Sequence, residues 1–146
     1  MVTTSYTRRK FIKLVSSGIG GGLIGGGIIG CATATVYQGT LNRNILEFPL
    51  SKFNENIGDN YGLLISAFKM SDAIILIKDT EGEFLALSAR CTHQGCQVKV
   101  KKQSFNCSCH GSAYDGYGNV IRGPAQKRLR SFPVKILDGI IKINLI

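Results

Sequence analysis

The sequence predicts an all-β domain preceded by one N-terminal transmembrane helix. After position 44, short apolar runs alternate with turn residues, and this part shows little helical periodicity. Before that point, residues 14–42 contain no charged side chain. Subtracting the N-terminal segments from the 146 residues leaves about a hundred, which is enough for one hydrophobic core and not for two.

Residues 1–13 are predicted to be the n-region of a twin-arginine export signal. The paired Arg8 and Arg9 follow a polar residue and precede an aromatic, an aliphatic and a basic residue. This pattern indicates export of a protein that has already folded. A generic basic n-region is the alternative interpretation.

Residues 14–36 are predicted to be a transmembrane anchor, because a helix of this length, at about 1.5 Å per residue, spans the hydrocarbon core. Small residues four apart, such as Gly18 and Gly22, would let another helix pack closely. The preceding basic residues place the N-terminus in the cytoplasm and the domain on the outer, periplasmic side of the cytoplasmic membrane. Cleavage near residues 32–34, lipidation of Cys31 and a simply flexible glycine tract are the alternatives.

The polar residues 37–44 are predicted to be a hinge between anchor and domain. Two hairpins follow from their turn residues. Residues 73–78 and 83–88 flank a turn at 79–82, and residues 132–137 and 140–145 flank a turn at 138–139. Shorter strands are predicted at residues 98–100, 104–106 and 119–122.

Two short segments concentrate the side chains that bind metals. They are Cys91-Thr92-His93-Gln94-Gly95-Cys96 and Cys107-Ser108-Cys109-His110-Gly111-Ser112. Each offers a thiolate and an imidazole, and each carries one further cysteine. A diiron cluster with thiolates on one iron and imidazoles on the other needs two such arms. Neutral imidazoles leave less negative charge at the site than thiolates do, so an added electron is repelled less.

The pattern resembles the Rieske iron-sulfur proteins of quinol:cytochrome complexes, the type that contains a disulfide. The resemblance covers about residues 45–146. It implies an antiparallel β sandwich with a small cluster-binding subdomain at about residues 90–126. It also implies one [2Fe-2S] cluster, whose ligands are Cys91, His93, Cys107 and His110. A disulfide between Cys96 and Cys109 is implied as well, and it would tie the two ligand segments together.

The same resemblance assigns roles to groups around the cluster. Ser112 is expected to donate a hydrogen bond to a bridging sulfide, and Tyr114 to a ligand thiolate. Both hydrogen bonds would favour the reduced, more negative cluster and raise its potential. Pro124 is expected in a loop that covers the cluster, and His110 is expected to be the ligand that meets quinol.

The function implied is that of the electron-transfer subunit of a cytochrome bc-type complex. Such a subunit takes an electron from quinol beside a cytochrome b-type membrane subunit and passes it to a c-type cytochrome or similar acceptor. The small Rieske subunit of an exported molybdenum oxidase, similar to arsenite oxidase, is the alternative, and Gln94 favours it. A structural zinc site is a further alternative, because two cysteines and two histidines also suit tetrahedral zinc.

The formal net charge is +9, and part of it lies in the export signal. Six further basic residues lie near the ligand segments in sequence: Lys99, Lys101, Lys102, Lys127, Arg128 and Arg130. A nucleic-acid partner is not predicted, because these charges belong to an export signal and to a redox motif. A solvated basic surface accounts for them, and the steering of an acidic electron-transfer partner is the alternative.

Overall fold

The computed structural model describes residues 35–146, so the predicted export signal and nearly all of the predicted anchor lie outside the described residues. Within the described part, no helix has the length and apolar character needed to cross a bilayer. This part consists mostly of strands, which confirms the all-β prediction. The first elements are β1 (Val36–Gln38), β2 (Thr40–Asn42), β3 (Ile45–Pro49), helix α1 (Leu50–Ile57), β4 (Gly62–Ser66), β5 (Ile74–Lys78) and β6 (Phe84–Ser88). The later ones are β7 (Lys99–Lys101), β8 (Ser104–Asn106), β9 (Ala113–Asp115), β10 (Val120–Arg122), β11 (Ser131–Phe132), β12 (Val134–Leu137) and β13 (Ile140–Asn144).

These strands form three sheets. The central sheet has the order β1-β4-β5-β6-β11. The base sheet has the order β12-β13-β3-β2, and the loop sheet has the order β10-β9-β8-β7. Strands β1 and β4 pair in parallel, and the other strand pairs of the described residues are antiparallel.

The central sheet is covered on both faces. Ile74 and Leu76 of β5 belong to one hydrophobic core, which they share with residues of the base sheet. The alternate residues Ile75 and Ile77 belong to a second core, which they share with residues of the loop sheet. Because side chains on successive residues of a strand point to opposite faces, a strand buried on both faces is apolar at every position. This explains the continuous apolar run of β5.

Both predicted hairpins are confirmed. Strands β5 and β6 pair around a turn in which the Asp79 carboxylate accepts hydrogen bonds from the amides of Glu81 and Glu83, at 2.9 and 2.8 Å. Strands β12 and β13 pair around Asp138 and Gly139, whose φ angles are 51° and 72°. Two left-handed residues at a two-residue turn match the twist of the flanking strands, and Asp-Gly is well suited to that conformation.

Helix α1 was not predicted from the sequence. Its apolar residues Leu50, Phe53 and Ile57 have helical spacing, and they follow Pro49, which takes the N-cap position. Phe53 is buried, and its ring lies 5.0 Å from the ring of Phe84 in an edge-on arrangement. The helix has only eight residues, so its periodicity is too short to stand out in the sequence.

Much of the segment predicted as a hinge, residues 37–44, is paired with the domain. Strand β1 lies at the edge of the central sheet beside β4, and β2 lies at the edge of the base sheet beside β3. Gly39 joins the two strands, and its amide donates to Ser66 O at 2.8 Å. The segment therefore crosses from one sheet to the other. Polar three-residue edge strands carry little hydrophobic signal, so the sequence did not reveal these pairings.

Gly39 has no room for a side chain, because a Cβ atom there would lie 2.8 Å from Glu47 O and 3.0 Å from Leu46 Cδ1. We expect Gly39→Ala to lower the free energy of unfolding by about 1–3 kcal/mol, since backbone or core atoms must move. Urea denaturation measures the change. Gly123→Ala is the control, because its Cβ would meet Ala125 O at 3.9 Å, an ordinary contact. Equal stability of the two variants would contradict the crowding at Gly39.

Candidate metal centre

The first ligand segment forms a closed loop between β6 and β7. The amide of Cys91 donates to Cys96 O at 2.8 Å, and the amide of Gly95 donates to Cys91 O at 2.9 Å. The base of the loop is held where the amide of Val98 donates to Ala89 O at 2.8 Å. The loop is thus fixed by its own backbone and by the end of the central sheet.

The second ligand segment forms an equivalent loop between β8 and β9. The amide of Cys107 donates to Ser112 O at 2.8 Å, and the amide of Gly111 donates to Cys107 O at 3.0 Å. Both loops thus have the same pattern, in which residue one donates to residue six and residue five donates to residue one. The fifth residue is glycine in each loop, with φ of 77° at Gly95 and 79° at Gly111. Other residues rarely adopt this left-handed conformation.

The loops separate the four predicted ligands by burial. Cys91 and Cys107 are free thiols, and each is 2% exposed. His93 and His110 are exposed, and their ring centroids lie 4.8 Å apart. The structure therefore brings the two imidazoles together at the surface and keeps the two thiols in the interior.

The other two cysteines of residues 35–146 form a disulfide, Cys96–Cys109, as the resemblance implied. It joins the two loops covalently across a sequence separation of 13 residues. The sulfur of Cys107 lies within 4.8 Å of both disulfide sulfurs. These three atoms do not form a ligand set, because the sulfurs of a disulfide are not thiolates.

Tyr114, which is fully buried in β9, binds the first loop through its phenol oxygen. This oxygen lies 3.2 Å from Cys91 Sγ and accepts a hydrogen bond from the amide of Thr92 at 3.1 Å. It also lies 3.1 Å from Thr92 Oγ1, whose own proton is donated to Lys127 O at 2.6 Å. The phenol proton therefore has two possible acceptors, Thr92 Oγ1 and Cys91 Sγ. A thiolate charge would draw it to the sulfur.

Ser112 is fully buried, and its Oγ accepts a hydrogen bond from the amide of Ala125 at 3.0 Å. Because this contact uses a lone pair, the hydroxyl proton remains free to be donated elsewhere. Ala125 follows Pro124, which is exposed, and the same stretch of chain supplies the Lys127 carbonyl that binds Thr92. Residues 124–127, the proline segment, therefore contact both loops, and the covering role of Pro124 stays a prediction.

The sulfur of Cys91 lies in surroundings that favour its ionised form. Burial by itself would raise the pKa of this thiol. Hydrogen bonds from the Tyr114 hydroxyl, the His93 backbone and the side chains of Cys107 and Ser112 outweigh burial and hold the pKa below its ordinary value. The pKa of Tyr114 is raised, first by its burial and then by its hydrogen bond to Cys91. Both shifts describe a phenol that donates to a thiolate.

These residues fit a [2Fe-2S] cluster of mixed ligation. Two buried thiols, of which Cys91 has hydrogen-bond donors around it, suit the iron held by sulfur, and two adjacent surface imidazoles suit the iron held by nitrogen. The assignment of these four side chains as ligands stays a prediction. The hydrogen bonds made by Thr92, Ala125 and the Lys127 carbonyl were not predicted from the sequence. The matching glycines at the fifth position of each segment were a signal that the loops are equivalent.

Replacing Tyr114 by phenylalanine removes the phenol donor near Cys91. We expect the midpoint potential of the bound cluster to fall by about 40 mV, which corresponds to about 1 kcal/mol for one electron. Redox titration followed by electron paramagnetic resonance measures the shift. Tyr61→Phe is the matched control, because its hydroxyl makes a single hydrogen bond within the described residues, to Gly116 O at 3.5 Å. An unchanged potential in Tyr114→Phe, with the cluster retained, would remove the role of Tyr114.

Known proteins are similar to this chain in both sequence and fold. The family profile of the Rieske [2Fe-2S] domain matches residues 58–133. The cytochrome b6-f complex iron-sulfur subunit 1 of Trichormus variabilis is 35% identical over 136 residues, which covers 84% of this chain and 75% of that protein.

Two solved structures have a similar fold. The plasma membrane Rieske protein of the cyanobacterium Synechocystis aligns with a TM-score of 0.54 and 25% identity, covering 66% of this chain and 94% of that one. A chain of a hyperthermophilic respiratory Complex III aligns with a TM-score of 0.51 and 28% identity, covering 65% of this chain and 71% of that one. Residues 58–133, which the family profile matches, include both ligand loops and the strands that hold them. On this evidence, the chain belongs to the family of Rieske [2Fe-2S] iron-sulfur proteins.

Proposed function

We propose that this protein is the electron-transfer iron-sulfur subunit of a cytochrome bc-type complex. The observation that carries the proposal is the arrangement of four side chains, with two thiols buried and two imidazoles adjacent at the surface. The relative from Trichormus variabilis is named as a subunit of a cytochrome b6-f complex, and one structural neighbour comes from a respiratory Complex III. Both support a bc-type role.

When bound, the [2Fe-2S] cluster supplies one-electron redox chemistry at a potential raised by its histidine ligands. Cys91 and Cys107 would hold it on the buried side, and His93 and His110 would hold it at the surface. Tyr114 and Ser112 provide hydroxyl protons in the interior, where they stabilise added negative charge. Burial of the sulfur side keeps water away, and the disulfide holds the two loops together.

The surface imidazoles also explain how a proton accompanies the electron. Both are exposed, so quinol could approach the ring nitrogen of either imidazole that does not bind iron. We propose that the ring nitrogen of His110 that does not bind iron accepts the proton that quinol releases, because this side chain is exposed at the site. The exposed side of the site is therefore where substrate and protein meet.

The partners and location follow from the same proposal. A cytochrome b-type membrane subunit would supply the quinol site, and a c-type cytochrome or similar protein would accept the electron. Residues 14–36 would anchor the chain in the cytoplasmic membrane, with the cluster domain on the outer side and residues 37–44 as the connection. The relative from Trichormus variabilis aligns over 84% of this chain, a larger share than residues 35–146 make up. The sequence similarity therefore extends into residues 1–34. The outer location also agrees with the disulfide, since disulfides persist in oxidising compartments.

Proton uptake on reduction predicts a midpoint potential that falls as pH rises. The slope should approach about 59 mV per pH unit in the alkaline range, where reduction must recruit one proton from solution. Redox titrations from about pH 6 to pH 10 measure it. In a His110→Cys variant that retains a cluster, the slope should become smaller, because one proton acceptor is lost. A potential that stays flat from neutral to alkaline pH would contradict proton-coupled reduction.

The assignment to a complex is tested by purifying the full-length protein from its native membranes in mild detergent. We expect iron and acid-labile sulfide in about equal amounts, visible absorption, and a cytochrome b among the co-purifying subunits. A large molybdopterin subunit in place of the cytochrome b would instead support the small subunit of a molybdenum oxidase. A colourless protein that contains zinc would overturn the redox function altogether.

A further inference from the structure

A groove of about 590 Å³ runs along one side of the first ligand loop. It is lined by residues of the turn between β4 and β5 and by residues of the chain that follows Pro124. Thr92 lines the groove, and the next residue is the surface ligand His93. A molecule in the groove would therefore lie close to the exposed side of the cluster site.

The groove is basic. Four cationic side chains line it, and one carboxylate opposes them: Lys69, Arg90, Lys127 and Arg130 against Asp72. Arg90 uses part of its charge in an ion pair with Asp72, at 3.3 Å. Within residues 35–146, Lys69 and Lys127 make no ion pair with any carboxylate. They therefore line the groove as two uncompensated positive charges.

The floor of the groove is apolar, and it includes Met70, Ile74 and Phe132. The Arg130 guanidinium lies over the ring of Phe132, 4.9 Å from its centroid, and donates to Leu145 O at 3.3 Å, so it is held in place. Beside Lys69, the ring of Phe68 is 83% exposed. A charged rim, an apolar floor and an exposed aromatic side chain together are typical of a protein interface.

The fold separates these charges from other basic residues that are near in sequence. Lys102 lies on the turn between β7 and β8, where it borders a different depression together with Asp59 and Tyr61. The six basic residues noted in the sequence therefore do not form one surface. Only Lys127 and Arg130 of that set line the groove, and Lys69 and Arg90 come from elsewhere in the chain.

We propose that this groove docks an acidic segment of the protein that exchanges electrons with the cluster. Charge complementarity selects the partner, since carboxylates would meet Lys69 and Lys127, while an apolar residue between them would reach the floor. The identity of the partner as an electron carrier rests on the function proposed above. The docking itself rests on the groove alone.

The test uses full-length protein in detergent and a fluorescent peptide that alternates glutamate and leucine. In separate variants, Lys69→Glu and Lys127→Glu should each weaken binding about three- to tenfold at low ionic strength. Lys102→Glu is the matched control, because it changes the net charge equally in the other depression. It should bind as the unaltered protein does. Fluorescence anisotropy measures the affinities, and iron is determined in the same samples.

The outcomes separate the two proposals. Selective loss of binding in the groove variants supports the docking site, whether or not the protein contains iron. Equal loss in all three variants would mean that only net charge matters, and it would overturn the site. Binding to phosphatidylglycerol vesicles that depends on Lys69 and Lys127, without binding of the peptide, would also overturn it in favour of a membrane surface. Absence of iron from the purified protein would contradict the proposed function and leave the docking proposal unaffected.

Discussion

The site depends on one constraint, which is to keep two sulfur atoms dry while two imidazoles a short distance away stay in water. Two loops meet this constraint with the same pair of backbone hydrogen bonds, and the fifth residue of each is a left-handed glycine. The hydrogen bonds fix the first cysteine of each loop against the interior, and the intervening residues are pushed outward. The disulfide then prevents the loops from separating, since neither has enough apolar surface to hold itself in place.

Polar groups behind the sulfurs decide how the site responds to charge. Tyr114 and Ser112 are buried, and the oxygen of each accepts a hydrogen bond from a backbone amide, a contact that leaves the hydroxyl proton available for donation. In such surroundings a hydrogen bond to a charged group is stronger than in water. The interior therefore favours negative charge next to Cys91, whereas the groove outside the first loop carries uncompensated positive charge. Both features favour a reduced centre that meets an anionic partner.

The sequence predicted the site better than it predicted the periphery of the fold. The ligand segments and the two hairpins contain residues that by themselves indicate a metal site or a tight turn, such as cysteine, histidine and Asp-Gly. Strands β1 and β2 and helix α1 are short, and they are held by tertiary contacts that no local pattern reveals. The network from Tyr114 through Thr92 to Lys127 could not be predicted from the sequence either, because it joins residues up to 35 positions apart through two hydroxyls and one carbonyl.

The central sheet has a consequence for how the protein loses its structure. Each of its inner strands places side chains in both cores. Unfolding of one core therefore removes strands that the other core needs. The layer that carries the ligand loops and the layer beneath it should therefore melt as one cooperative unit. This architecture disfavours a partial unfolding that releases the cofactor while the rest of the domain stays folded. We therefore expect the cofactor to be lost only when the whole domain unfolds.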